Sequence, residues 1–173
     1  MDTPFLSIVI PAYNEESRIE GTLRQVVGFL RGRPYSWEVL VVDDGSTDAT
    51  ARLVGEFAAT HPNLRLLSLL HGGKGWAVKH GMLRATGQYR MQCDADLSMP
   101  IEQAERMLPP QMQGVDVAIS SREAPGARRI GEPSHRHLMG RVYNALVRVL
   151  AVPGVRDTQC GFKCFRGDVV PKL

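Results

Sequence analysis

Asp94 and Asp96 stand one residue apart in "MQCDADLSMP", Met91 to Pro100, at the end of a predicted strand. An extended backbone puts residues i and i+2 on one face, so the two carboxylates share a side. Like charges held that close are costly unless a cation sits between them or one takes a proton. A divalent cation with hard oxygen ligands suits the pair. Lys74, between Gly73 and Gly75 at the start of a predicted helix, offers the opposite chemistry. Backbone N–H groups and an ammonium at such a place make an anion site. Arg122 and Arg136 carry planar forks suited to phosphate oxygens. From Arg122 to Arg148 six arginines face only Glu123 and Glu132, which points to a local anion site. Each of these has a plainer reading: a solvated turn for the two acids, an exposed loop lysine, solvated surface arginines.

The elements that must position these residues alternate. "FLSIVI" reads as a buried strand, followed by a helix over "EESRIEGTLRQVVGFLR" with Asn14 as its N-cap. "WEVLVVDDGS" is a second strand, and "STDATARLVGEFAATH" a helix capped by Ser46 or Thr47. "LRLLSLL", "QYRMQCDAD", "VDVAISS" and "CGFKCF" are further strands. "GGKGWAVKHGMLRATG" forms a helix, Ile101–Leu108 a short one, and 135–152 a long amphipathic one. The pattern predicts an α/β fold with a mostly parallel sheet and helices on both faces, as a single domain over 1–173. Ligands of such sheets bind at the carboxyl ends of the strands. Those ends carry Pro11 to Glu15, Asp43 to Ser46, His71 to Gly75, Asp94 to Asp96, and Ser121-Arg122. All the special clusters therefore fall on one edge.

The totals set outer bounds. The chain of 173 residues is 43% apolar and 23% charged, ordinary for a soluble domain. A net charge of +3, without aromatic–basic interleaving, argues against nucleic acid. Cys93, Cys160 and Cys164 make no disulfide framework, which suggests a reducing compartment, and Cys160 and Cys164, without a partner pair at zinc-site spacing, read as packing residues. Met1-Asp2-Thr3-Pro4 lacks the basic start of a signal peptide, and no apolar run approaches the ~20 residues of a membrane span. The expected location is cytoplasmic. The 135–152 helix either lies on a membrane surface or packs its apolar face on the sheet. Two nucleotide folds are excluded by spelling. The first strand runs into "PAYNEE" without the G-x-G-x-x-G of dinucleotide binding, and Gly73-Lys74 is followed by Gly75 with Ser68 where a P-loop needs Gly.

"SIVIPAYNEE", "EVLVVDDGSTDAT", "GGKGWAVKHG", "DAD" and "DTQCGFK", in that order, resemble the inverting family 2 nucleotide-sugar glycosyltransferases with the GT-A fold. The likeness covers nearly the whole chain. "RDTQCGFK" is similar to the subgroup that moves glucose to dolichyl or polyprenyl phosphate. Family members run on past the last strand, so this chain reads as truncated or unusually compact.

The resemblance implies roles. Asp96 would bind Mg²⁺ or Mn²⁺, and Asp94 would touch metal or ribose. Ser98, where some relatives have a third metal ligand, is a weak one. Pro11, Tyr13 and Glu15 would wall the nucleotide pocket, with Tyr13 packing on base or ribose and Glu15 accepting from a ribose hydroxyl. Asp44 would accept the uracil N3–H, with Asp43 beside it. Lys74 would meet the diphosphate. Arg122, Arg136, Gln159 and Lys163 would hold the acceptor phosphate, and Asp157 would orient an arginine. The implied reaction moves glucose from UDP-glucose to a lipid phosphate, without a general base, since that acceptor is already anionic. The alternatives are GDP-mannose as donor, a hydroxyl acceptor, or nucleotide-sugar binding without turnover. Contact with the cytosolic face of a membrane is implied by the acceptor.

Overall fold

The computed structural model describes residues 3–121 and 160–172. The chain runs β1 (Leu6–Ala12), α1 (Ile19–Arg31), β2 (Trp37–Asp43), α2 (Thr50–Ala59), β3 (Leu64–Ser68), α3 (Lys74–Arg84) and β4 (Tyr89–Gln92). A 3-10 helix (Ile101–Met107), β5 (Val117–Ile119), β6 (Lys163–Arg166) and a second 3-10 turn (Val170–Lys172) follow. The strands form one sheet in the order β3-β2-β1-β4-β6-β5. β1 pairs in parallel with β2 and β4, and β2 with β3, while β6 runs antiparallel to β4. Cα packing groups Met1–Ala118 and Phe162–Leu173 into one compact unit and Ile119–Gly161 into another. The predicted 135–152 helix, Arg122, Arg136, Asp157 and Gln159 lie outside the described residues.

β1 and β2, at the centre of the sheet, are buried on both faces, which is why they read as near-continuous apolar runs. Val9, Leu40 and Val42 pack with Ala77, Met82 and Ala85 of the α3 segment. Strand alternation turns Ile8, Ile10, Val39 and Val41 the other way, and they are fully buried as well. α2 packs on β3 and β2, and α1 packs on α2 and the first 3-10 helix. Gly81 lets α3 approach closely: a Cβ there would collide with Val9 and lie 2.7 Å from Val42 Cγ2.

Two expected helix caps are not formed. α1 begins after Arg18 and α2 after Ala49, neither with a side-chain cap. The polar residues instead tie the loop after β1 to the loop after β2. Asn14 sits at φ 54, a left-handed conformation that asparagine tolerates, and its Oδ1 accepts from Thr47 N at 2.9 Å. Ser46 Oγ accepts from Asn14 N at 3.0 Å, and Thr50 Oγ1 from Glu15 N at 2.8 Å. Adjacent parallel strands end side by side, so their loops meet, and side chains that look like caps locally bond across instead.

At the opposite edge, the buried Glu38 carboxylate joins β1, β2, β3 and the end of α3. Its Oε1 accepts from Ser7 Oγ at 2.6 Å and from Thr86 N at 2.7 Å, and its Oε2 from Arg65 at 2.7 Å. Burial alone would raise its pKa, but these hydrogen bonds outweigh it and hold the carboxyl below its ordinary 4.5. The folded state therefore holds this proton more weakly than the unfolded chain. Its stabilisation is complete above 4.5 and fades as the pH falls through the lowered value. Urea unfolding across that acid range should show wild type losing its stability advantage over Glu38→Gln. A stability difference that stays constant with pH would refute the assignment.

Candidate functional site

A cleft of about 240 Å³ opens at the carboxyl ends of β1, β2, β3 and β4. Pro11, Tyr13, Glu15, Asp44, His71, Lys74, Asp94 and Asp96 all line it. The strands place them there by register: Ala12 stands opposite Asp43, and Asp43 opposite Ser68, so three successive loops leave the sheet at one level. Seven of the twelve residues singled out from the sequence are brought together in this way: Pro11, Tyr13, Glu15, Asp44, Lys74, Asp94 and Asp96.

The turn after β4 presents the two acids. Thr22 Oγ1 donates to the Ala95 carbonyl at 2.5 Å, which fixes the turn to α1. Leu97 N donates to the Asp94 carbonyl, with Leu97 at φ 46, and Asp96 Oδ1 accepts from Ser98 N at 2.9 Å. Asp96 is exposed and Asp94 half-buried. Lys74 Nζ pairs with Asp94 Oδ1 at 2.9 Å, one ammonium set against the two carboxylates. Among the described residues no three His, Cys, Asp or Glu side chains gather around one point. Two carboxylates therefore suit an ion that completes its shell with water and substrate phosphate oxygens, as Mg²⁺ does. The hard oxygen donors fit Mg²⁺ or Mn²⁺.

Asp44 builds the opposite wall. It is 2% exposed. Its Oδ1 accepts from Gly72 N at 2.9 Å and its Oδ2 from Gly73 N at 2.8 Å. His71 Nδ1 lies 2.9 Å from the same Oδ2 and 3.0 Å from the Asp44 carbonyl. Both neighbours are acceptors, so Nδ1 carries the proton, and in the neutral ring Nε2 is the acceptor. The imidazole stacks on Tyr13 at 4.3 Å. Asp44 thus shapes the glycine loop that starts α3, beyond any role toward a base. Gly73, at φ 90, supplies the conformation that brings Lys74 to the cleft.

Other predicted residues stand elsewhere. Asp43 is buried outside the cleft lining, its carboxylate 3.3–3.4 Å from Ser46 N. Lys163 pairs with Gln92 across β6 and β4, on the same sheet edge but outside the cleft lining. Glu15 lines the cleft while its Oε2 lies 2.8 Å from Arg18 Nε. His71 had no role assigned from the sequence. The signal was its place directly before Gly72-Gly73 at a strand end, where a side chain must face the site.

The three cysteines are buried and none forms a disulfide. Burial, with the charges of Asp94 and Asp96 added, pushes the Cys93 thiol up to about 12. A thiol so protonated is no nucleophile near neutral pH, despite its place beside the site. No described helix is long and apolar enough to cross a membrane.

Comparison with known proteins agrees with this geometry. A family model described as "Glycosyl transferase family 2" matches residues 7–173. The dolichyl-phosphate beta-glucosyltransferase of Drosophila melanogaster is 37% identical over 183 residues, covering 97% of this chain and 56% of its own. That of Dictyostelium discoideum is 32% identical over 187 residues, covering 100% of this chain and 57% of its own. The chain spans about half the length of these curated relatives. Among solved structures, glucosyl-3-phosphoglycerate synthase from Mycobacterium tuberculosis in complex with Mn²⁺ and UDP-glucose superposes with a TM-score of 0.66 at 20% identity, covering 98% of this chain and 58% of its own. The mannosyltransferase PcManGT from Pyrobaculum calidifontis, in complex with GDP-Man and Mn²⁺, gives 0.61 at 22%, covering 100% and 47%. At such identities these two establish the fold, GT-A, and nothing finer.

Proposed function

Because the chain belongs to glycosyl transferase family 2, we propose that it moves glucose from UDP-glucose to a dolichyl or polyprenyl phosphate, with inversion at the anomeric carbon. The observation that carries this reading is the meeting of Tyr13, Glu15, Asp44, Lys74, Asp94 and Asp96 in one cleft at the strand ends. The names of the curated relatives support the acceptor and the sugar. The UDP-glucose and Mn²⁺ of a solved neighbour support the donor and the metal.

In this reaction an oxygen of the acceptor phosphate attacks the anomeric carbon as the bond to the UDP oxygen breaks on the other side. The acceptor is already an anion, so no side chain needs to take a proton. Catalysis then rests on position and on charge. Tyr13 and Glu15 hold the nucleoside. Asp94 and Asp96 would hold a Mg²⁺ or Mn²⁺ ion, which would supply neutralisation for the leaving diphosphate. Lys74 adds a second positive charge on the cleft wall. Arg122, Arg136, Gln159 and Lys163 bind the acceptor phosphate, with Arg122 foremost. The protein works at the cytosolic face of a membrane, where a lipid phosphate and a soluble nucleotide sugar meet.

Calorimetric titration with UDP-glucose and GDP-mannose, each with and without Mn²⁺, tests the reading. The expected result is Mn²⁺-dependent binding of UDP-glucose, and transfer to polyprenyl phosphate that Arg122→Ala abolishes while sparing donor affinity. Preference for GDP-mannose would move the donor assignment. Binding without any transfer would favour a nucleotide-sugar-binding role.

A further inference from the structure

α3 presents its large apolar residues to solvent. At 100° per residue, Trp76, Lys79, His80, Leu83 and Arg84 fall within an arc of about 140°. The buried arc holds Ala77, Gly81 and Met82. The inner face is small because the helix lies close to the sheet at Gly81. Nothing in packing demands that the outer face be large, yet Trp76 and Leu83 are each 47% exposed. Leu70, in the turn before the helix, is 90% exposed. That turn lies against the indole: a Cβ on Gly72 would meet Trp76 Cγ at 2.6 Å. Trp76 and Leu83 therefore share the outer face of α3, and the turn that carries Leu70 and Gly72 lies against the indole.

The charges of α3 itself have one sign. The sequence of α3, "KGWAVKHGMLR", contains no acid. Lys79 and Arg84 have no ion-pair partner among the described residues. The helix start that ends this stripe, Gly73 and Lys74, lines the cleft. Exposed apolar side chains gathered on one side are the informative departure from an ordinary surface. Interleaved with unpaired cations, they match an anionic bilayer surface. Tryptophan settles at headgroup depth, leucine enters the acyl boundary, and lysine and arginine meet lipid phosphates.

We propose that the outer face of α3, with Leu70, is a docking surface for an anionic lipid bilayer, seated beside the mouth of the cleft. The choice of lipid over an acidic protein rests on the reading of the acceptor as a lipid phosphate. A membrane on this face lies next to Lys74 and keeps the acceptor headgroup within the neighbourhood of the donor.

The test is sedimentation of the chain with phosphatidylcholine vesicles, with and without phosphatidylserine, in the absence of donor. Trp37→Phe leaves Trp76 as the only tryptophan, and its emission reports contact directly. Binding to the serine-containing vesicles, with a blue shift of Trp76 and loss at high salt, is the expected result. Lys79→Gln with Arg84→Gln should weaken it about thirtyfold, and Trp76→Ala should remove most of what remains. UDP-glucose affinity of the same variants should not change. Vesicle binding at full strength in these variants overturns the proposal, as does its absence in a wild-type sample folded by circular dichroism. Neither result touches the donor reading, which stands or falls with the nucleotide titration.

Discussion

Asp96→Asn should abolish the Mn²⁺-dependent part of UDP-glucose binding and slow transfer on the order of a thousandfold. The size follows from the several kcal/mol that a metal supplies to a leaving diphosphate, at a factor of ten per ~1.4 kcal/mol. The substitution is chosen so that little else changes. Asp96 is exposed, and among the described residues its hydrogen bond is the acceptance by Oδ1 from Ser98 N. Asparagine keeps that acceptor, so the turn and the melting temperature should be retained. Asp94→Asn is the more disruptive partner, since it also strips Lys74 of the carboxylate 2.9 Å away. Manganese binding, followed by paramagnetic resonance with and without UDP, separates the two. Asp96→Asn should lose the ion in both conditions while the apo protein stays folded. Full metal-dependent donor binding in Asp96→Asn would reduce the acidic pair to a solvated turn.

The strands and the site edge were legible because both are local. The first three strands read as largely apolar runs, and each of the first four strands ends in a cluster that no core would choose: "PAYNEE", "DDGS", "HGGKG", "DAD". Parallel connection does the rest, since it brings every carboxyl end to one side. What stayed hidden was pairing between loops. Asn14 and Ser46 have the sequence positions of helix caps, but they bond to one another's loops because β1 and β2 end side by side. The same limit concealed His71, whose partner Asp44 lies 27 residues away. A cap is a local event that sequence spacing can suggest. A hydrogen bond between neighbouring loops depends on strand order and register, which spacing alone does not contain. The inverted face of α3 was hidden for a related reason. Its buried side is small only because Gly81 meets Val9 and Val42, a close approach set by the sheet.

The adjacent acids Asp43 and Asp44 should differ sharply when changed, and the difference separates a scaffold from a reader of the base. Asp44→Asn should lower stability by about 3 kcal/mol in the absence of any nucleotide, since a hydrogen bond to a charged group contributes roughly 1.5–3 kcal/mol. Both of its oxygens accept backbone N–H groups of the glycine loop, at 2.9 and 2.8 Å. An asparagine amide would turn a donor toward one of them, in a place almost closed to water. For a chain of this size the loss corresponds to a drop of about 6–12 °C in melting temperature. Asp43→Asn should cost much less, because among the described residues its carboxylate reaches Ser46 N alone, at 3.3–3.4 Å, and an amide oxygen can take that contact over. Donor affinity should fall in Asp44→Asn as well, because the loop that carries His71 and Lys74 loses its anchor. Thermal unfolding and UDP titration of both variants resolve the matter. A stable Asp44→Asn that no longer binds UDP would make Asp44 a base reader alone. A destabilised variant whose remaining folded fraction binds UDP normally would make it scaffold alone.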